Sequence, residues 1–301
     1  MIKPAERPQV YNQPHCWQYD IRLKNLAQDL TEAGLTEESA GSLTTADFDL
    51  TFVPKTDTDR CKQIAEFIKR HEWLGRMPGY PTHRFVATYQ GRLAGVIVMA
   101  TPNAFSKILG EQNRGLEKLI GRGACISWSP KNLASYLLMW AIRWGVQNTE
   151  FRVFTAYSDP EAKELGTIYQ ACNFIYLGRT SGASKMYFDP TNPARGWFSN
   201  REFSYRAKYK QYARELGIEW NSAWNHRNKM FWDKMPTEVA TTLKRMAKEY
   251  QARCKVRNVP PKHKYCYILG RDKRETKILK NLFETHNPDK VGLLYPKERG
   301  Q

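Results

Sequence analysis

Apolar and polar positions change period several times along the chain, and each change predicts a change of element type. Leu23, Leu26, Leu30 and Leu35 give residues 17–46 only a thin helical stripe, so residues 1–46 are expected to form an N-terminal helical extension that packs as an appendage. A strand near 48–53 follows, then a helix from about Asp57 to His71 with Cys61, Ile64, Ala65 and Ile68 on one face. Two apolar runs, 84–89 and 93–100, are joined by Gln90-Gly91-Arg92, a hairpin signal. A strand at 118–128 runs into Ser129 and Pro130, a cap and first-turn pair that predicts a helix from Lys131 to about Val146. A strand at 152–157, a helix at 160–172 and two short strands at 174–177 and 185–188 complete the series. The order β, α, β, β, β, α, β, α, β, β predicts an α/β fold, a mixed sheet flanked by helices over 47–190. Pro190 and Pro193 then mark a boundary, and a mainly helical module is expected over 191–301.

Charge sharpens that division. The 301 residues carry 47 Lys and Arg against 30 Asp and Glu, and residues 191–301 alone hold 25 against 11. A field concentrated on one module suits a polyanion, because neutralising phosphates releases counterions. Arg206, Lys210 and Arg214 are four apart and share a helix face, and Arg271, Lys273, Arg274 and Lys277 follow a strand-like stretch at 265–269. Either group can track phosphates or form a solvated face. Interleaved rings (Tyr205, Tyr209, Tyr212, Trp220, Trp224, Phe231, Trp232) favour nucleic acid, since bases stack on them.

The longest apolar run, Leu93 to Ala100, is too short to span a membrane, and Met1 to Val10 lacks a signal core, which argues against insertion and secretion. Six scattered cysteines read as free thiols in a reducing compartment, with no metal site.

Four stretches carry a family resemblance: Arg122-Gly-Ala-Cys-Ile-Ser-Trp128, Asn132-Leu-Ala-Ser135, Ala156-Tyr-Ser-Asp-Pro160 and Gly166-Thr-Ile-Tyr-Gln-Ala-Cys-Asn-Phe-Ile-Tyr176, with Glu72-Trp-Leu-Gly-Arg-Met-Pro78 before them. Together they resemble the phage Mom-type DNA-modification proteins. The resemblance implies a GNAT-like fold, an acetyl-CoA or related acyl-CoA donor, and modification of adenine N6 in double-stranded DNA to a carbamoylmethyl product. It further implies protection of phage DNA from restriction in the cytoplasm of a bacterial host.

Asp159, just past a buried strand, and Tyr169, on the following helix, can both face the cleft at the carboxyl end of the sheet. A carboxylate there can take a proton from the attacking amine, and a tyrosine can give one to a departing thiolate. The ordinary readings are a helix cap and a core ring. Arg122 and Ser135 match family positions associated with the donor, and the helix start at Lys131 and Asn132 suits a pyrophosphate. Residues 129–134 contain no glycine, where GNAT enzymes carry a glycine-bearing loop. Glu72 and Trp73 stand where some relatives carry His and Tyr. Glu72 or neighbouring His71 is a candidate base, and Trp73 offers a face for an extruded nucleobase. Two rivals stay open: an acyltransferase acting on another amine of a pyrimidine, tRNA or protein, and a nucleic-acid-binding phage protein without catalysis.

Overall fold

In the computed structural model, which describes residues 16–102, 107–180, 184–226 and 229–297, the chain divides into two units. One unit comprises the residues up to 180 together with those from 262 onward, and the other is 181–261. The expected boundary at 190 therefore lies inside the second unit, which is an insert and not a C-terminal module.

The first unit opens with α1 (Trp17–Ala33) and α2 (Glu37–Ser42), followed by β1 (Asp49–Val53) and α3 (Thr58–His71). Next come β2 (Pro81–Tyr89), β3 (Arg92–Ala100), β4 (Glu117–Cys125), α4 (Leu133–Asn148), β5 (Val153–Ser158), α5 (Thr167–Ala171) and β6 (Ile175–Arg179). The insert holds β7 (Ser184–Phe188), β8 (Trp197–Ser199), α6 (Arg206–Glu215), β9 (Asn225–His226), β10 (Lys229–Met230), α7 (Thr237–Arg253) and β11 (Lys255–Val259). The chain then returns with β12 (His263–Ile268) and α8 (Lys273–His286).

Seven strands form the main sheet in the order β1-β2-β3-β4-β5-β12-β6. The hairpin closes as expected: Tyr89 pairs with Arg92, and Gln90 and Gly91 both take positive φ, as a two-residue turn of this hand requires. On one face α4 packs its apolar stripe against Phe85, Ile97, Met99, Phe154 and Ala156. On the other face α3 covers Val86, Val96 and Val98, and α8 covers Val153, Cys266 and Ile268. The last strand expected in this sheet, 185–188, pairs instead with β11 and β8 inside the insert. Its place is taken by β12, which the sequence pattern had assigned to the C-terminal module.

Three further expectations change. The N-terminal extension is part of the core, with Leu30 and Ala40 buried beside Phe48 and Trp128. Buried Asp29 fastens it: its carboxylate accepts from Ser127 Oγ (2.6 Å) and pairs with Arg70 (2.5 Å), while Arg22 donates to the carbonyls of Ser127 and Ser129. The helix expected at 160–172 is broken into a 3-10 turn at Pro160–Ala162 and the short α5, because Lys163 and Gly166 take positive φ. In the insert, Tyr209, Tyr212 and Trp224 are buried with Phe198, Leu243 and Tyr250, so most of the rings read as stacking surfaces build its small core. Among the described residues no helix is long and apolar enough to cross a membrane.

A strand lodged between two others cannot be removed without exposing both. The fragment 1–190, which lacks β12, is expected to show no cooperative thermal unfolding by circular dichroism. A chain in which a short turn joins Thr180 to Lys262 in place of the insert is expected to keep a cooperative melt, since Thr180 N–H already donates to Lys262 C=O at 2.8 Å. A sharp transition for 1–190 would contradict this division of the chain.

Candidate active site

β4 and β5 run parallel, but only for the pairs Glu117–Val153, Lys118–Phe154 and Leu119–Thr155. Beyond Leu119 and Thr155 the ladder stops, although β4 continues to Cys125 and β5 to Ser158. The pairing of β4 with β3 shifts between Val98–Arg122 and Met99–Ile120, so Gly121 is an extra residue that bends β4. A Cβ at Gly121 would lie 2.9 Å from Pro78 Cβ, so the loop after α3 crosses this bulge at a distance only glycine permits.

That loop brings two groups to the opening. Glu72, the last-turn cap of α3, is buried, accepts from Gly75 N–H at 3.0 Å, and lies 3.8 Å from Arg122 Nε. Arg122 Nε in turn donates to the Arg76 carbonyl at 2.9 Å. From the opposite wall, Asp159 caps the turn after β5 through Glu161 N–H (3.1 Å) and pairs with Lys262 Nζ at 2.8 Å. Glu164 joins the walls: one oxygen accepts from Asp159 N–H (3.1 Å) and the other from Trp73 Nε1 (3.0 Å). Tyr169 packs its ring on Phe174 and Tyr265, at 5.2 and 5.4 Å between centroids. Gly166 sets that helix down, because a Cβ there would meet the Tyr265 ring at 2.6 Å.

Burial governs the protonation of this group. It raises the Glu72 carboxyl above its ordinary range, opposed by the positive charge of Arg122. It pushes Glu164 up to about 7, with the hydrogen bonds from Asp159 and Trp73 pulling down and the charges of Asp159 and Glu72 adding to the rise. Burial also raises Tyr169, with the negative charge of Glu164 reinforcing it, so the phenol stays a neutral donor. Arg122 is lowered by burial.

Of the residues singled out in sequence, Glu72, Trp73, Arg122, Asp159 and Tyr169 thus converge. His71 does not join them: its ring turns toward Asp29, 3.6 Å away, and packs on Phe67. At the start of α4, Lys131 and Asn132 are exposed and Asn132 makes no side-chain cap. The helix begins two residues later than expected. Leu133 N–H donates to Pro130 C=O, and Ser135 Oγ donates back to Asn132 C=O. Arg206, Lys210 and Arg214 do share α6, in the insert, with Lys210 over the Trp220 ring at 5.5 Å. Arg271 and Arg274 belong to the other unit, and Arg271 lines a shallow cavity of about 610 Å³ along α8 with Lys273, Lys277 and Lys280.

A model of the Mom protein family matches residues 57–287. The chain belongs to the Mom protein family. A comparison with curated proteins finds no match. Similar solved structures include ribosomal-protein-S5-alanine acetyltransferase from Vibrio fischeri, 13% identical over 44% of this chain and 82% of that chain with a TM-score of 0.32. A GNAT family acetyltransferase from Elizabethkingia anophelis with acetyl-CoA bound is 8% identical over 74% and 99%, with a TM-score of 0.31. IAA acetyltransferase from Bacillus cereus is 12% identical over 74% and 99%, with a TM-score of 0.32. The sheet of this Mom-family chain is mixed and flanked by helices on both faces, the α/β arrangement expected from the order of its elements.

Two residues of the site escaped the sequence reading. Glu164 was hidden by the helix expected through 160–172, which allowed no break after Ala162. The signal that could have exposed it is Gly166 two residues later, a helix breaker in front of the Thr-Ile-Tyr motif. Trp17, at the start of α1, meets Trp73 edge-on at 5.2 Å and is 42% exposed, so it extends the aromatic surface beside Glu164.

A carboxyl raised from 4.5 to about 7 binds a proton in the folded state that the unfolded state has lost between those values. The wild type should therefore lose stability relative to Glu164→Gln as pH rises through that window, by up to about 3 kcal/mol, with a constant difference outside it. Chemical denaturation at a series of pH values measures this difference, and a flat difference would place Glu164 in a solvated setting.

Proposed function

We propose that this protein transfers an acyl group from a CoA thioester to an exocyclic amine of a DNA base, adenine N6 as the resemblance implies, with the new bond to the carbonyl carbon and not to the methylene carbon of a carbamoylmethyl group, and so shields phage DNA from restriction. The observation that carries the reading is the convergence of Glu72, Arg122, Asp159, Glu164 and Tyr169 at the opening between β4 and β5. Membership of the Mom protein family supports it.

The carboxyl end of β4 leads through residues 126–132 into α4, which puts the helix start at the open end of the sheet. Lys131 and the exposed amino end of α4 suit the donor's phosphates, since a helix start favours negative charge. When bound, the donor supplies a carbonyl carbon activated as a thioester. Tyr169, kept neutral by burial, donates a hydrogen bond to the sulfur as it leaves. Trp73 and half-exposed Trp17 offer rings against which an extruded base stacks.

The insert is read as the DNA-holding part. Residues 181–261 carry 16 Lys and Arg against 7 Asp and Glu, and Lys262, where the chain leaves the insert, is the residue that pairs with Asp159. Its exposed rings, Trp197 and Tyr205, stand among cations such as Arg257, 4.6 Å over the Trp197 ring.

Mass spectrometry of nucleosides from cells expressing the protein is expected to reveal one modified deoxynucleoside, reduced about 10²-fold or more in Tyr169→Phe. Unmodified DNA from wild-type cells would defeat the reading. In a salt titration of DNA affinity, changing Arg206, Lys210 and Arg214 together to Ala should flatten the slope of log K against log salt by up to about 3. An unchanged slope would move the DNA contact off α6.

A further inference from the structure

Attack by a nucleobase amine poses a proton problem that the roles above leave unsolved. The lone pair of such an amine is drawn into the ring, so its N–H proton must go to a base as the new bond forms. The carboxylates at the opening differ in what they have to spare. Asp159 has one oxygen on Glu161 N–H and the other on Lys262 Nζ. Glu72 has one oxygen on Gly75 N–H and the other beside the Arg122 guanidinium.

Glu164 is held differently. Its two oxygens each take one neutral N–H, from Trp73 and from Asp159, and no cation pairs with it among the described contacts. Each oxygen keeps capacity for a further proton. The groups facing it are Asp159, itself paired with Lys262, from the end of β5; Glu72 from the loop after α3; Arg122 from β4; and Tyr169 from α5. The residue is partly open to solvent and stands beside the Trp73 and Trp17 rings. We propose that Glu164 is the base that accepts the amine proton during transfer, an assignment that rests on the transferase reading above.

For an acyl group the step balances as follows. The amine nitrogen forms a bond to the carbonyl carbon, the carbon–sulfur bond breaks, and sulfur leaves with the electron pair as a thiolate. The N–H proton moves to the Glu164 carboxylate, which returns it to water. A carboxyl raised to about 7 is a stronger base than an ordinary carboxylate and is still largely ionised just above neutrality.

The test is the rate of nucleoside modification by the full-length protein, wild type, Glu164→Gln and Trp73→Phe, from about pH 5.5 to about pH 9. The wild-type rate is expected to rise with pH through about 7. Glu164→Gln should lose about 10² to 10⁴ of the rate while keeping its thermal shift with CoA and its DNA affinity. Trp73→Phe removes a hydrogen bond that favours the charged carboxylate, so its rising limb should move to higher pH whatever its absolute rate. Wild-type rate and profile in Glu164→Gln overturns the assignment. A slow Glu164→Gln with an unmoved limb in Trp73→Phe also overturns it, because Glu164 would then act only as a strut. Absence of product from the wild type itself overturns the transferase reading, which separates the two failures.

Discussion

β12 has to slip between β5 and the edge strand β6 from the far side of an 81-residue excursion, and the first unit depends on its arrival. It pairs with β5 from His263–Ser158 to Ile268–Val153 and with β6 on its other edge. Its side chains serve both faces: Tyr265 enters the core under α4, while Cys266 and Ile268 lie under α8. Without it β5 and β6 would each present an unpaired edge, and Asp159 would lose Lys262. The same strand therefore completes the scaffold and holds a group of the site.

The parting of β4 and β5 matters for a different reason. Arg122 lies in a row across the sheet with Val98, Arg84 and Val53, on the face that α3 covers, whereas Tyr169 packs with Tyr265 and Phe174 on the face of α4. In an unbroken sheet the backbone would stand between them. Where the ladder ends, groups from the two faces act on one another, and Glu164 and Glu72 are drawn into one poorly solvated place. Gathering like charges out of water costs stability, which is a common mark of a site kept for chemistry.

How much of this was legible in the sequence follows from the range of the forces involved. The hairpin at Gln90-Gly91 and the span and apolar face of α3 are local, and composition and spacing were enough to place them. Glu72, Trp73, Arg122, Asp159 and Tyr169 were legible through short motifs. The site of β12 was not, since the pairing of His263 with Ser158 leaves no trace in the residues adjacent to either. Asp29 was invisible for the same reason: an acid in a polar stretch looks solvated until Ser127, Arg70 and His71 are brought to it. The rings of the insert misled because the same residues that stack on bases also fill a small core.

The discontinuous first unit has a consequence for the order of events during synthesis. When Thr180 leaves the ribosome, the main sheet has its first six strands in sequence and a gap between β5 and β6. At about 5–20 residues per second, roughly ten seconds pass before His263 emerges to fill it. In that interval the exposed edges invite pairing with other chains, and a nascent insert that closes β7 against β11, Ser184 opposite Val259, brings its two ends together in time for β12. Folding of the insert thus shortens the loop that β12 must close, from a long flexible one to the few residues between Val259 and His263, and couples the yield of the whole protein to the speed with which its basic insert collapses.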